Sequence, residues 1–296
     1  MNNRLFRGSG VALATPFRAG AIDFEAFERL IDRQIAAGTS ALVVCGTTGE
    51  PSTVTPQERE WLVECALRRA GGRVPVIVGV GGSDTRAVVS LTRQARTAGA
   101  DAALAVTPYY NRTTQAGLIA HFTAVADAAD IPVILYNVPA RTGVNLLPET
   151  AAQLSRHPNI CGVKEASGDV SQAAALVRLC GDSLAVYSGN DDLTLPILAM
   201  GGQGVVSVAA NVCPSLVCGL CDCFFAGDIE AARAIQLRLA PLCAALFDEV
   251  SPIPLKAALA MLGLCADEVR LPLVPASEAC RKKLREALAE LEEDWD

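Results

Sequence analysis

Only four of the chain's 25 basic residues are lysines: Lys164, Lys256, Lys282 and Lys283. Arginine carries the ordinary surface charge, so a lysine at the end of an apolar run invites a chemical explanation. Lys164 closes such a run, Ile160–Lys164. A desolvated lysine can release its proton, whereas arginine keeps its charge. A neutral amine beside a ketone forms an imine, so the position suggests Schiff-base chemistry. The competing reading is a buried ion pair with Glu165. Neighbours on a strand point to opposite faces, which argues against that pairing. The four tyrosines, Tyr109, Tyr110, Tyr136 and Tyr187, all fall at or near the ends of strand-like runs. A phenol there can shuttle protons or simply pack. Tyr136 is the best proton-transfer candidate, because its run immediately precedes that of Lys164. Thr47-Thr48-Gly49 offers two hydroxyls and backbone N–H groups suited to a carboxylate, or is a plain turn. Arg141 could clamp a second carboxylate with its planar fork, or be a loop charge facing solvent.

Around these groups, apolar runs of strand length alternate with amphipathic runs of helical length. Short apolar runs occur at Val11–Ala14, Ala41–Cys45, Val74–Val78, Ala102–Val106, Val133–Tyr136, Ile160–Lys164, Leu184–Tyr187 and Gly204–Val208. Continuous apolar character fits parallel strands buried on both faces. Amphipathic stretches of helical length separate them, among them Phe24–Ala37, Pro56–Ala70, Asp84–Ala98 and Gln115–Ala128. Thr55, Pro56 and Glu58 form a capping-box pattern at the start of the second stretch. Eight strand–helix units ending near Phe225 predict an α/β fold, a (β/α)8 TIM barrel over residues 1–225. The pattern is helical thereafter, at Ile229–Phe247, Pro254–Leu264 and Ser277–Leu291, so residues 226–296 are expected to form a three-helix C-terminal extension. A doubly wound sheet is the rival, but the first run leads into Thr15-Pro16-Phe17 instead of a glycine loop. Gly79-Val80-Gly81-Gly82 reads as a tight turn, because it lacks the spacing of a phosphate loop. In such a barrel, chemistry belongs at the C-terminal strand ends.

Composition narrows the function further. The chain has 296 residues and a net charge of −7, a poor match for nucleic acid or an anionic membrane. Met1–Arg7 leads into no secretory signal. The uncharged stretch Leu193–Cys221 is interrupted by Pro196, Gly201, Gly202, Gly204 and Pro214, so no transmembrane span is expected. Eleven scattered cysteines suit a reducing compartment, and a cytoplasmic location is expected. Cys218 and Cys221 have C-x-x-C spacing, but they lie on an apolar helix where cysteine serves as a small hydrophobe. With His121 and His157 far away, no metal site is expected.

Five segments carry a family resemblance that runs nearly end to end: Gly46–Glu50, Thr107–Asn111, Tyr136–Gly143, Gly162–Gly168 and Gly201–Ser207. They resemble the 4-hydroxy-tetrahydrodipicolinate (dihydrodipicolinate) synthase family, within the N-acetylneuraminate lyase superfamily of class I aldolases. The resemblance implies that Lys164 forms a Schiff base with pyruvate and that Tyr136 gives and takes protons. It implies that Thr48 links Tyr136 to Tyr110, which reaches in from a neighbouring subunit. Thr47 and Thr48 would hold the pyruvate carboxylate, Gly189 and Val206 would line the pocket, and Arg141 would receive the carboxylate of L-aspartate 4-semialdehyde. The implied reaction is an aldol-type condensation followed by ring closure, on the route to diaminopimelate and lysine, with no metal or organic cofactor. The family usually forms a homotetramer, a dimer of dimers. Sialate lyases and sugar-acid aldolases share the lysine and tyrosine but usually lack the arginine. A pyruvate-dependent lyase acting on N-acetylneuraminate or 2-keto-3-deoxygluconate is therefore the alternative, and a non-catalytic barrel the distant one. At the family's lysine-effector site, Pro56, Arg59, Ser83 and Ala87 replace histidine, asparagine and glutamate side chains, while Tyr109 is retained. Weak or absent inhibition by lysine is expected.

Overall fold

Eight parallel strands close into a barrel in the computed structural model, which describes residues 5–292. They are β1 (Gly8–Ala12), β2 (Ala41–Val44), β3 (Val76–Gly79), β4 (Ala102–Val106), β5 (Val133–Asn137), β6 (Ile160–Glu165), β7 (Ala185–Ser188) and β8 (Gly204–Ser207). Each pairs with its sequence neighbours, and β1 closes the ring by pairing with both β2 and β8. The main helices are α1 (Phe24–Ala36), α2 (Pro56–Ala70), α3 (Thr85–Ala98), α4 (Gln115–Asp127), α5 (Pro148–Leu154), α6 (Val170–Cys180), α7 (Thr194–Ala199) and α8 (Pro214–Ala226). The C-terminal helices are α9 (Ile229–Ala245), α10 (Ile253–Met261) and α11 (Glu278–Glu292). The barrel and the C-terminal helices are those expected from the sequence.

Alternation within each strand divides the core in two. Ala41, Val43, Ile77, Leu104, Ile134 and Tyr136 belong to the cluster filling the barrel, while Leu42, Val44, Val76, Val78, Ala103 and Leu135 pack in the larger cluster with the helices. That parity decides which way Lys164 points. The β5–β6 register shifts early, with Val133 opposite Ile160 and Ile134 opposite Gly162, so Cys161 is accommodated as an extra residue. From there Lys164 lies between Tyr136 on β5 and Tyr187 on β7. Lys164 therefore shares the inward parity of the two tyrosines.

Tyr187 closes the barrel instead of serving its open end. Its hydroxyl donates to the Phe6 carbonyl at 2.8 Å, and the two rings stack with centroids 4.2 Å apart. Among the tyrosines considered for proton transfer, this one is committed to packing.

The capping box at α2 forms as expected. The Glu58 amide donates to Thr55 Oγ1 at 3.2 Å, and Glu58 Oε2 accepts from the Thr55 amide at 2.9 Å. The tight turn expected at Gly79–Gly82 does not form: Val80 continues the pairing of β3 by donating to the Leu104 carbonyl at 2.8 Å, and the Gly79 carbonyl accepts from Arg59 Nη2. The uncharged stretch Leu193–Cys221 breaks into α7, β8 and the start of α8, and no helix among the described residues is long and apolar enough to cross a membrane.

Candidate active site

At the C-terminal ends of β2–β5 a cavity of about 470 Å³ opens toward the C-terminal helices. Thr47, Glu50, Tyr109, Tyr136 and Arg141 share its wall with Ser251. Lys164 is not on that wall. It is 5% exposed, and its Nζ lies 4.3 Å from the centroid of the Tyr136 ring, whose edge does reach the cavity. An ammonium or amine over a phenol ring is held by the ring's negative face. This places an amine and a proton-transfer candidate side by side under an open cavity.

Glu165 turns the other way, as alternation requires. Its carboxylate accepts from the Ser167 amide at 2.7 Å, from Asn137 Nδ2 at 3.0 Å and from Gln172 Nε2 at 3.2 Å. Satisfied by these amides, it makes no ion pair with Lys164. Gly189, just beyond β7, leaves the room Lys164 occupies. A Cβ there would lie 3.0 Å from Lys164 Cε and 2.6 Å from Ala166 Cβ.

The threonines sit in a tight 3-10 turn, Thr47–Gly49, directly after β2. Thr15 Oγ1 donates to the Gly49 carbonyl at 2.9 Å, and Glu50 ends the turn in the left-handed region at φ +53°. Thr48 is buried and Thr47 half-buried. Arg141 lies in the short helix Pro139–Thr142 after β5 and donates from Nη2 to the Ser251 carbonyl at 3.3 Å. Val206 is buried on β8, in the same interior cluster as Tyr136. Tyr110 stands apart: it is 94% exposed, with φ +68°, and reaches none of these residues within its own chain.

Asp191 opens the 3-10 turn Asp191–Leu193 that follows β7. Its carboxylate is fully buried, accepting from the Val208 and Ala209 amides, each at 3.0 Å, and from Ser207 Oγ. Burial pushes its carboxyl above the usual range, and those hydrogen bonds together with the nearby Lys164 charge oppose the push. It ties the segment after β8, and hence Val206, to the end of β7.

The family model "Dihydrodipicolinate synthetase family" matches residues 5–291. The chain belongs to the dihydrodipicolinate synthetase family. A relative from Alkaliphilus oremlandii, a 4-hydroxy-tetrahydrodipicolinate synthase, is 52% identical over 96% of this chain and 98% of its own length. The dihydrodipicolinate synthase of Thermotoga maritima superposes with a TM-score of 0.96 at 46% identity, covering 97% of this chain and 99% of that one. A solved monomeric dihydrodipicolinate synthase variant matches with a TM-score of 0.95 at 46% identity, over 97% of each chain.

Proposed function

We propose that this chain is a 4-hydroxy-tetrahydrodipicolinate synthase, a lyase that condenses pyruvate with L-aspartate 4-semialdehyde on the route to diaminopimelate and lysine. The observation that carries the reading is the buried Lys164 amine against the Tyr136 ring, beneath a cavity walled by Thr47 and Arg141. Lys164 Nζ attacks C2 of pyruvate, and the carbinolamine loses water to give the imine. The imine withdraws electrons from C3, so a methyl proton leaves and an enamine forms. The enamine carbon attacks the aldehyde carbon of the second substrate. The substrate amine then displaces Lys164 from C2 and closes the ring. Tyr136 gives and takes the protons of imine formation, with Thr48 and the Tyr110 of a neighbouring subunit completing the relay. Thr47 and Thr48 hold the pyruvate carboxylate, Gly189 and Val206 shape the pocket around the adduct, and Arg141 receives the second carboxylate. The imine is itself the electron sink, so the reaction requires no metal or organic cofactor. The enzyme works as a homotetramer in the cytoplasm, with residues 1–225 forming the catalytic barrel and 226–296 the C-terminal extension, whose Ser251, Pro252 and Leu273 line the cavity.

Borohydride reduction in the presence of pyruvate, followed by peptide mass mapping, is the test. A pyruvyl adduct on Lys164, with turnover of the semialdehyde, is the expected result. An adduct accompanied by cleavage of N-acetylneuraminate or 2-keto-3-deoxygluconate and no turnover of the semialdehyde would reassign the substrate. Absence of any adduct would leave a non-catalytic barrel.

Regulation belongs to the same reading. Ala87 is exposed and supplies no acid, and Arg59 is engaged with the Gly79 carbonyl. The ammonium of a lysine effector would find no counter-charge from either. Initial rates are expected to stay near their starting value in millimolar L-lysine, and a steep inhibition curve would contradict this.

A further inference from the structure

The scarcity that draws attention to Lys164 applies equally to Lys256, which the proposed chemistry does not use. Lys256 lies on α10 and is 0% exposed. Its Nζ donates to the Glu268 carbonyl at 2.8 Å, stands 3.2 Å from Glu50 Oε1, and lies 4.4 Å from the centroid of the Phe17 ring. The contact with Glu50 is an ion pair, whereas the Glu268 carbonyl accepts the hydrogen bond. Burial pushes this ammonium below its ordinary value, and Glu50 pulls it back up.

Glu50 is the residue that ends the Thr47-Thr48-Gly49 turn. Its amide donates to the Thr47 carbonyl at 3.2 Å, and its Oε2 accepts from the Arg270 amide at 3.1 Å. Its left-handed backbone is one that a non-glycine residue keeps only when its surroundings hold it there. Its backbone is held within the loop, by Thr47 and by the Thr53 amide donating to its carbonyl at 3.1 Å, while its carboxylate is held from the C-terminal segment by the Lys256 ammonium and the Arg270 amide. Glu50 also shares the cavity wall with Thr47, Tyr136 and Arg141.

We infer that Lys256 is a positioning residue: through its buried ion pair with Glu50 it holds the Thr47–Thr48 turn in the shape that receives the substrate's carboxylate, so the C-terminal helices set the barrel's affinity for a 2-oxo acid. A hydrophobic pair would fill this space, often at no loss of stability, but an ion pair also fixes distance and direction. A turn that must aim two hydroxyls and backbone N–H groups at one carboxylate depends on both.

The inference rests on the Schiff-base reading, so the experiment measures adduct formation itself. Borohydride trapping is titrated with pyruvate in the wild type and in Glu50→Gln, Lys256→Met and the double variant Glu50→Gln/Lys256→Met, with thermal melting recorded in parallel. The half-saturating pyruvate concentration is expected to rise about tenfold or more in each variant, the size expected from losing a charged contact. The adduct should still map to Lys164, and the KM for the semialdehyde should hold within about threefold, since Arg141 is untouched. The double variant buries no lone charge and is expected to recover the wild-type melting temperature while keeping weak pyruvate saturation. If the single variants do not fold, the double variant decides alone. Wild-type half-saturation in the double variant would make Lys256 a packing residue and overturn the inference. Failure of the wild type to form any Lys164 adduct would overturn the Schiff-base reading instead.

Discussion

Gly189 makes the demands on the site visible at the scale of single atoms. Its backbone needs no glycine, but its missing side chain leaves the space that Lys164 Cε and Ala166 Cβ border at 3.0 and 2.6 Å. Gly189→Ala would press a methyl group into that space and displace the amine. Displacements of this order at a reacting group cost about a hundredfold, so kcat should fall by roughly that factor. Overpacking costs about 1–3 kcal/mol, so the variant should still melt cooperatively. Steady-state kinetics beside calorimetry would check both, and unchanged kcat would show that Lys164 has slack. The sequence pointed clearly to Lys164 and Tyr136, because a rare lysine and a tyrosine each ended a buried strand. It preferred Tyr136 to Tyr187 by the order of the strands, but gave Tyr187 no task of its own. Both are inward-facing tyrosines near strand ends, and the hydroxyl of Tyr187 is spent on the Phe6 carbonyl, a partner far off in sequence. Nor did it assign a role to Glu50, Lys256 or Asp191. The Glu50–Lys256 contact spans more than two-thirds of the chain, and long-range pairings leave no periodic mark.

Between elements, the β2–α2 connection is fastened to the C-terminal segment by Arg270. Its guanidinium donates to Glu58 Oε2 at 2.8 Å, to the Thr53 carbonyl at 2.8 Å and to the Gly20 carbonyl at 2.8 Å, and it lies over the Phe17 ring. The Arg270 hydrogen bond holds the Glu58 carboxyl down at about 2 from its usual 4.5. The folded state therefore favours the ionised form. Its contribution is fully present above about 4.5 and is lost as pH falls through about 2. Glu58→Gln should lower stability at neutral pH by about 1.5–3 kcal/mol, the worth of a hydrogen bond to a charged group. The gap to wild type should close as pH falls through that window. Denaturant melts at a series of pH values would test it, and a gap independent of pH would show that the charge of Glu58 contributes nothing. The elements themselves were largely legible. β4 and α2 match their expected bounds, because apolar runs and a capping box mark them locally. β1 begins earlier than expected, at Gly8 instead of Val11. Gly8, Ser9 and Gly10 look like turn residues, yet ring closure pairs them with Gly204, Val205 and Val206. The small ribbon of Phe17–Arg18 with Ala21–Ile22 was too short to register as strands.

For the molecule as a whole, Tyr110 is the open end of the proposed site. A tyrosine 94% exposed in a left-handed backbone contributes nothing to its own chain's core. If it serves the neighbouring subunit, two individually inactive variants should complement each other. Tyr110→Phe should lose about a hundredfold in kcat, within the range for one proton-transfer group, and Lys164→Met should lose all adduct formation. After mixing and subunit exchange, sites combining an intact Lys164 with a neighbour's intact Tyr110 should regain activity. Sedimentation should show tetramers before and after, and no recovery despite exchange would place the relay within one chain. The economy of lysine has a practical side as well. Lys164 and Lys256 are buried, while Lys282 and Lys283 expose 73% and 57% of their side chains on consecutive positions of α11. Reagents that couple to side-chain amines should therefore attach to this protein through a single turn of one helix in each subunit, leaving the reactive amine unmodified.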